Sequence, residues 1–161
     1  MNFRVGFGYD VHPFSTNRKL ILGGVEIPFD KGLDGHSDAD VVCHAIADAI
    51  LGAAALGDIG IHFPDSNPLY KNISSLILLK ETNTILNKNG FAVNNVDTTI
   101  LIEKPKISGF YDRMIKNLSE SLNIEKNFIS IKATTSEKMG FVGRMEGVAA
   151  YAVVTIKEIE K

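Results

Sequence analysis

Asp10 and His12, two apart in Gly8-Tyr9-Asp10-Val11-His12, and His44, at the end of His36-Ser37-Asp38-Ala39-Asp40-Val41-Val42-Cys43-His44, are the residues of this chain best suited to chemistry. On a strand, residues two apart point to one face, so Asp10 and His12 can converge on one ion. His44 falls in an apolar-rich helical stretch, which would fix a third ligand on a rigid element. Two imidazoles and one carboxylate leave a coordination position open, which is the pattern of catalytic rather than structural zinc sites. The plainer alternatives are a polar turn for the Asp-x-His pair and a hydrogen-bonded core histidine for His44. The combination of strand then helix favours metal.

Three further stretches carry ligand-binding groups. Gly57-Asp58-Ile59-Gly60-Ile61-His62-Phe63-Pro64-Asp65 sets two carboxylates around a tight turn. Carboxylates accept from sugar or polyol hydroxyls and glycine lets backbone approach a ligand, although an ordinary loop with solvated acids reads the same way. His62 reads as structural. Lys132-Ala133-Thr134-Thr135-Ser136-Glu137-Lys138-Met139-Gly140-Phe141-Val142-Gly143-Arg144 runs from a strand end into hydroxyls, a carboxylate, two glycines and an arginine. Hydroxyls, backbone N–H groups and Arg can hold phosphate oxygens, and Glu137 can hold a hard cation such as Mg2+ against them. The Thr134-x-x-Glu137 spacing is equally that of a capping box, and a phosphate site at a helix start would satisfy both readings. Pro105-Lys106, just past a strand, offers a lysine to a phosphate or to solvent. The Gly-x-x-x-x-Gly-Lys-Ser/Thr spacing of a P-loop is absent.

The periodicities supply elements to position these groups. Residues 2–12 read as a strand, 20–27 as a hairpin turning at Gly23-Gly24, and 91–103 as a strand with Val96, Thr98, Ile100 and Ile102 on one face. Residues 128–135 and 147–159 read as two more strands. A first helix is expected from Asp38 or Asp40 to about Ala54, with Asp40, His44 and Asp48 on a polar stripe and Ile46, Ala49, Ile50 and Ala53 on the apolar side. Asp48 stands where it could accept a hydrogen bond from a ligand imidazole. A second helix runs from Ser74 or Ser75 to just before Gly90, and a third from Ser108 to Leu122. Residues 30–38, rich in Gly, Asp and Ser, read as a mobile loop that closes over a ligand, and 56–68 and 136–146 as further loops. The expected class is α+β: a four-stranded mixed sheet covered by helices on one face, in a single domain spanning residues 1–161. The other sheet face also needs covering, and a symmetric oligomer would cover it.

With 161 residues the chain can build one sizeable core, and 45% hydrophobic residues argue against disorder. The net charge is −2 without a basic run, so nucleic acid is not an expected partner. Membrane-spanning runs are absent, and Met1–Val5 reads as the approach to a strand rather than a signal or transit peptide. Cys43, the one cysteine, cannot form an intramolecular disulfide and reads as a packed apolar residue in a reducing compartment.

Taken in order, Arg4-Val5-Gly6-Phe7-Gly8-Tyr9-Asp10-Val11-His12, Gly35-His36-Ser37-Asp38-Ala39-Asp40, His44-Ala45 through Leu51-Gly52-Ala53, Gly57-Asp58-Ile59-Gly60 with Phe63-Pro64-Asp65, and Lys132 through Lys138 with Gly140-Phe141 and Gly143-Arg144 span nearly the whole chain. This pattern resembles the 2-C-methyl-D-erythritol 2,4-cyclodiphosphate synthases of the non-mevalonate isoprenoid pathway. The resemblance implies a homotrimer with sheets packed around a three-fold axis and active sites between subunits. It implies an intramolecular phosphoryl transfer that converts 4-diphosphocytidyl-2-C-methyl-D-erythritol 2-phosphate to the cyclic diphosphate and releases CMP. A bacterial cytoplasm or a plastid-like organelle is the expected location.

By the same resemblance, Asp10, His12 and His44 hold Zn2+, and Glu137 meets Mg2+ or Mn2+ bridging the diphosphate. His36 and Thr135 stabilise the transition state. Val11 and Ser37 join Asp10, His12 and His36 against the substrate, as Ser136 joins Glu137. Asp58, Ile59 and Gly60 match a ribose-contacting turn, and Phe63, Pro64, Asp65, Ser66 and Asn67 a loop near the erythritol. The cytosine pocket falls on Ile102, Glu103, Lys104, Pro105, Lys106, Ile107 and Ser108, with Ala133, Thr134 and Thr135 facing them. Phe141 and Arg144 match residues near the three-fold axis, where an isoprenoid diphosphate can sit. The chain departs from the pattern with Glu103-Lys104 before Pro-Lys, Asn67 for a common Asp, and Ala39 for a usual Gly. The competing readings are a metal-dependent phosphohydrolase, a non-haem iron oxygenase, and a non-catalytic trimeric nucleotide or isoprenoid sensor.

Overall fold

Alternation of buried with less buried residues runs along much of each long strand of the protein. A computed structural model describes residues 2–159. In chain order the elements are β1 (Phe3–Ser15), β2 (Leu20–Leu22), β3 (Val25–Ile27), β4 (Gly32–Leu33), α1 (Val41–Ala53), a single turn α2 (Ile59–His62), α3 (Ser75–Lys88), β5 (Phe91–Leu101), α4 (Tyr111–Leu122), β6 (Ile129–Thr134), a single turn α5 (Gly140–Gly143) and β7 (Gly147–Glu158). The main sheet has the order β4-β1-β7-β5-β6, and β2 pairs with β3 as a separate hairpin. Only β5 and β6 run parallel, joined by α4 as the crossover, so the sheet is mixed.

The expected α+β class and helix-covered face hold, with five strands in place of four. The fifth is β4, two residues that pair with Phe14 and Ser15 at the end of β1, inside the stretch read as a loop. A two-residue strand is too short to carry a periodicity. On the inner face, Val96, Thr98 and Ile100 of β5 and Val148, Ala150, Ala152, Val154 and Ile156 of β7 are buried beneath the helices. Helix α1 is buried along its whole length except at His44, Asp48 and Gly52. The opposite sheet face carries Phe3, Val5, Phe7, Tyr9 and Val11 of β1 with Tyr151 and Val153 of β7, all exposed.

Asp40 ties the hairpin to α1. Its fully buried carboxylate accepts from the N–H groups of Val42 and Cys43 at the helix start, at 3.1 and 3.2 Å. It also accepts from Gly23 and Gly24 in the β2–β3 turn, at 3.0 and 2.6 Å. Both turn glycines are left-handed, φ 55° and 68°, as a two-residue hairpin of this kind demands. Burial and the neighbouring Asp38 charge push the Asp40 pKa up against these bonds. Asp40 is therefore the cap of α1, and the expected polar stripe reduces to His44 and Asp48.

Candidate active site

Gly6 and Gly8 let a helix bring His44 to a strand. A Cβ on Gly6 would fall 1.8 Å from the carbonyl oxygen of Ala49, and one on Gly8 1.9 Å from that of Ala45. Ala45, Ala49 and Ala53 recur every helical turn, so α1 rests on β1 with backbone almost against backbone. Asp10 and His12 continue the same inner face of β1. Asp10 Oδ2 lies 3.2 Å from His12 Nε2 and 3.1 Å from His44 Nδ1, and the two nitrogens are 3.4 Å apart. Atoms about 2.0–2.2 Å from a tetrahedral ion stand roughly 3.3–3.6 Å from one another, so these three are spaced to share one divalent cation.

The far nitrogens set the tautomers. His12 donates from Nδ1 to the Asp34 carbonyl at 2.7 Å, which leaves a lone pair on Nε2. His44 donates from Nε2 to the Ser75 hydroxyl at 2.9 Å, with Ser37 Oγ at 3.1 Å, which leaves a lone pair on Nδ1. The Ser75 hydroxyl donates in turn to Asp38, and Asp38 also accepts from the Ser75 N–H at 3.0 Å. Asp38 thus caps α3 from a distant segment, where Ser74 makes no side-chain cap. The imidazole partner expected of Asp48 is supplied by Ser75 instead. Asp48 accepts from the Ile59 N–H at 2.7 Å and ties α1 to the α2 turn, while burial pushes its pKa up. Burial opposes charge on Asp10 and His12 too, but their hydrogen bonds prevail, lowering the Asp10 pKa and raising that of His12.

A cavity of about 360 Å³ opens over the triad. His36 and Ser37 form one wall, and Ile59, Gly60, Phe63, Pro64, Asp65 and Ser66 the other. His36 Nε2 is buried with no protein partner. Asp58 is not among the residues lining this cavity and caps the α2 turn by accepting from Ile61 N–H at 3.0 Å. Asn67 likewise accepts from Leu69 N–H at 3.0 Å and starts the turn at Pro68–Tyr70. Val11 projects from the opposite, exposed face of β1.

Residues 33–38 are pinned rather than free. The Arg18 guanidinium donates to the carbonyls of Leu33 and Ser37 and to Asn72 Oδ1. The His36 carbonyl accepts from Asn72 N–H at 2.8 Å, and Asp38 N–H donates to Ile73 at 3.1 Å. Ala39, where glycine is usual in the resembling pattern, is buried at φ 58°. That left-handed conformation explains the glycine preference.

A second cavity, of about 340 Å³, lies at the ends of β5 and β6. Ile102, Glu103, Pro105, Lys106, Ile107 and Ser108 line it opposite Ala133, Thr134 and Thr135, with Lys104 exposed beside them. It shares no lining residue with the first cavity. Glu137 stands past its rim, outside the Asp10–His12–His44 group. No capping box forms at Thr134 and Glu137. Glu137 and Lys138 are left-handed, φ 52° and 61°, and the next helix begins only at Gly140. Such residues cost of order 1–3 kcal/mol each and collect at functional sites.

The YgbB family profile matches residues 3–157. The chain belongs to the YgbB family. The chain is similar to the 2-C-methyl-D-erythritol 2,4-cyclodiphosphate synthase of Chlorobium phaeobacteroides, 56% identical over 154 residues that make up 96% of this chain and 98% of the relative. The enzyme of the same name from Clostridium beijerinckii is 56% identical over 156 residues, 97% of this chain and 99% of the relative. Among solved structures, IspF of Plasmodium falciparum in a CDP complex superposes with a TM-score of 0.87 at 34% identity, covering 99% of this chain and 98% of that one. The bifunctional IspDF of Campylobacter jejuni gives 0.95 at 42% identity, covering 99% of this chain but 43% of that longer one.

Sequence reasoning on this YgbB chain missed Ser75, and with it Tyr70 and Leu78 of the first cavity and Tyr111 of the second. Ser75 carried a weak signal, as a second serine at a helix start. The other three are apolar or aromatic residues in elements that no motif marks.

Proposed function

We propose that this site performs the cyclisation of its family. The 2-phosphate of 4-diphosphocytidyl-2-C-methyl-D-erythritol 2-phosphate attacks the β-phosphorus, a P–O–P bond forms, the bond from the β-phosphorus to the oxygen shared with the α-phosphate breaks, and CMP leaves. The product is 2-C-methyl-D-erythritol 2,4-cyclodiphosphate, for isoprenoid precursor synthesis. The observation that carries this reading is the Asp10–His12–His44 group, spaced for one cation and open toward a cavity.

Asp10, His12 and His44 would hold Zn2+, and Glu137 would hold Mg2+ or Mn2+ for the diphosphate chemistry. When bound, such cations neutralise the diphosphate and polarise its phosphorus. The nucleophile is already an anion, so the residues of the chain have mainly to orient the substrate, which supplies roughly 7–11 kcal/mol in favourable cases. His36, its Nε2 unclaimed by the protein, and Thr135 would donate to the developing phosphoryl charge. Gly60 and the Asp58–Ile59 turn would face the ribose and residues 63–67 the erythritol. Residues 102–108 and 133–135 would form the cytosine pocket, with Ser136 beside it and Ser37 and the Val11 backbone near the triad.

The two cavities lie apart in one chain, and one substrate must occupy both chemistries. A homotrimer that joins one subunit's triad to a neighbour's nucleotide pocket meets that need, and the exposed apolar face of β1 and β7 gives it a surface. An isoprenoid diphosphate at the axis would draw on Phe141 and Arg144. Arg144 already holds Glu146 through two bonds, at 2.8 and 3.1 Å, so such a ligand must compete for it. One core unites most of the buried apolar residues, and the chain would act as one catalytic domain. Its single, buried, free cysteine suits a reducing compartment such as bacterial cytoplasm. No helix among the described residues is long and apolar enough to cross a membrane.

Turnover in ¹⁸O-water tests the reaction. Ring closure by the 2-phosphate places no solvent oxygen in the products. One ¹⁸O in a linear 2,4-bisphosphate would instead identify a hydrolase.

A further inference from the structure

Glu103 and Glu137 stand on different segments, one past the end of β5 and the other in the turn after β6. A single carboxylate oxygen connects them. Glu103 Oε1 accepts from the backbone N–H of Ser136 at 2.9 Å and of Lys138 at 3.2 Å, with the Ser136 hydroxyl 3.2 Å away. These amides flank Glu137 on both sides. Between them lie the two successive left-handed, non-glycine residues, Glu137 and Lys138. Such a conformation persists where its surroundings over-determine it. A carboxylate that accepts from backbone N–H groups makes the stronger, charge-assisted kind of bond.

The side chain of Glu137 joins the same network. Thr135 Oγ1 accepts from the Glu137 N–H at 3.3 Å and donates toward Glu137 Oε1 at 3.4 Å. Partial desolvation raises the Glu103 pKa, but the amide bonds outweigh it and bring the group below the ordinary range. Other contacts steady the turn after Glu137. The Ser136 hydroxyl lies 2.6 Å from the Met139 carbonyl, and a Cβ on Gly143 would fall 2.1 Å from the Lys138 carbonyl carbon. Glu103 alone among these contacts bridges both amides around Glu137.

We infer that Glu103 is a positioning residue that aims the Glu137 carboxylate at the second divalent cation by holding the 136–138 turn. The inference rests on the proposed role of Glu137. Zinc-loaded protein is titrated with Mn2+ in the presence of cytidine diphosphate, with free Mn2+ read by electron paramagnetic resonance. Affinities for cytidine diphosphate and for zinc are measured alongside. Glu103→Ala should weaken Mn2+ binding roughly 10–100-fold while zinc affinity is unchanged. Glu103→Gln, whose amide oxygen still accepts from both N–H groups, should restore most of it. Glu137→Ala calibrates full loss. Wild-type Mn2+ affinity in Glu103→Ala, with loss in Glu137→Ala, would overturn the role of Glu103 and leave that of Glu137 standing. Wild-type affinity in Glu137→Ala would overturn the reading of Glu137 itself. Loss in Glu103→Ala matched by an equal loss of metal-free nucleotide affinity would make Glu103 a nucleotide contact and not a positioning residue.

Discussion

His44 is held at both ends of its ring, and the far end decides whether the near end can bind metal. Ser75 Oγ accepts from Nε2 while its own hydroxyl donates to Asp38. Ser75→Ala removes the nearer of two acceptors, leaving Ser37 Oγ at 3.1 Å, and should lower metal affinity roughly 10–100-fold, measured by competition with a chromophoric chelator. An unchanged affinity would show that the relay is idle. His12 gives a pH signature. Its raised pKa lets protons compete with metal higher on the pH scale than for an ordinary imidazole, so metal affinity should climb as pH rises through that value. The metal-free protein should show the opposite slope. The Asp10–His12 contribution to stability is complete below the ordinary imidazole pKa, and it is lost as pH rises through the raised one. Chelator competition and thermal melts across about pH 6–8 would check both signs. The three ligands were legible because strand parity and a helical stretch are local patterns. Ser75 was not, since only the packing of α3 against α1 carries it to a histidine 31 positions earlier.

Between elements, the decisive distance is that of α1 from β1. Gly8→Ala drives a methyl group into the Ala45 carbonyl, and the helix must retreat. The cost should be about 1–3 kcal/mol in denaturant unfolding, with weaker metal binding because His44 retreats with the helix. Gly52 is the control on the same helix. A Cβ there meets nothing within 4 Å, so Gly52→Ala should raise stability by about 0.5–1 kcal/mol and leave the metal site alone. The glycines and the alanine spacing stand in the sequence, but their contact is a tertiary fact. The loop at 30–38 also makes contacts that no local pattern marks. Its Gly, Asp and Ser content reads as mobility, yet Ser37, Asp38 and the Asp34 carbonyl are all spent on holding ligands and the start of α3. At Glu137 the capping-box spacing was present and the helix was not, because two left-handed residues intervene.

At the scale of the whole molecule, the helices bury one side of the sheet and leave aromatic and β-branched residues bare on the other. Phe7 is 64% exposed, and its ring lies 5.9 Å from that of Tyr151 on the neighbouring strand. Phe7→Glu should break the proposed trimer, seen as monomer in sedimentation, and abolish turnover while each chain still binds a divalent cation. A variant that keeps the wild-type mass and loses only activity would contradict the placement of the interface on this face. The need to cover that face followed from the sequence as a general expectation of a one-sided sheet. The separation of the triad from the second cavity did not, because it depends on where β5 and β6 end in space. The most direct test of the account is phosphorus NMR of the zinc- and magnesium-loaded protein with 4-diphosphocytidyl-2-C-methyl-D-erythritol 2-phosphate. The account predicts a CMP singlet together with a pair of mutually coupled signals from the cyclic diphosphate. CMP with two uncoupled monophosphate signals would contradict it.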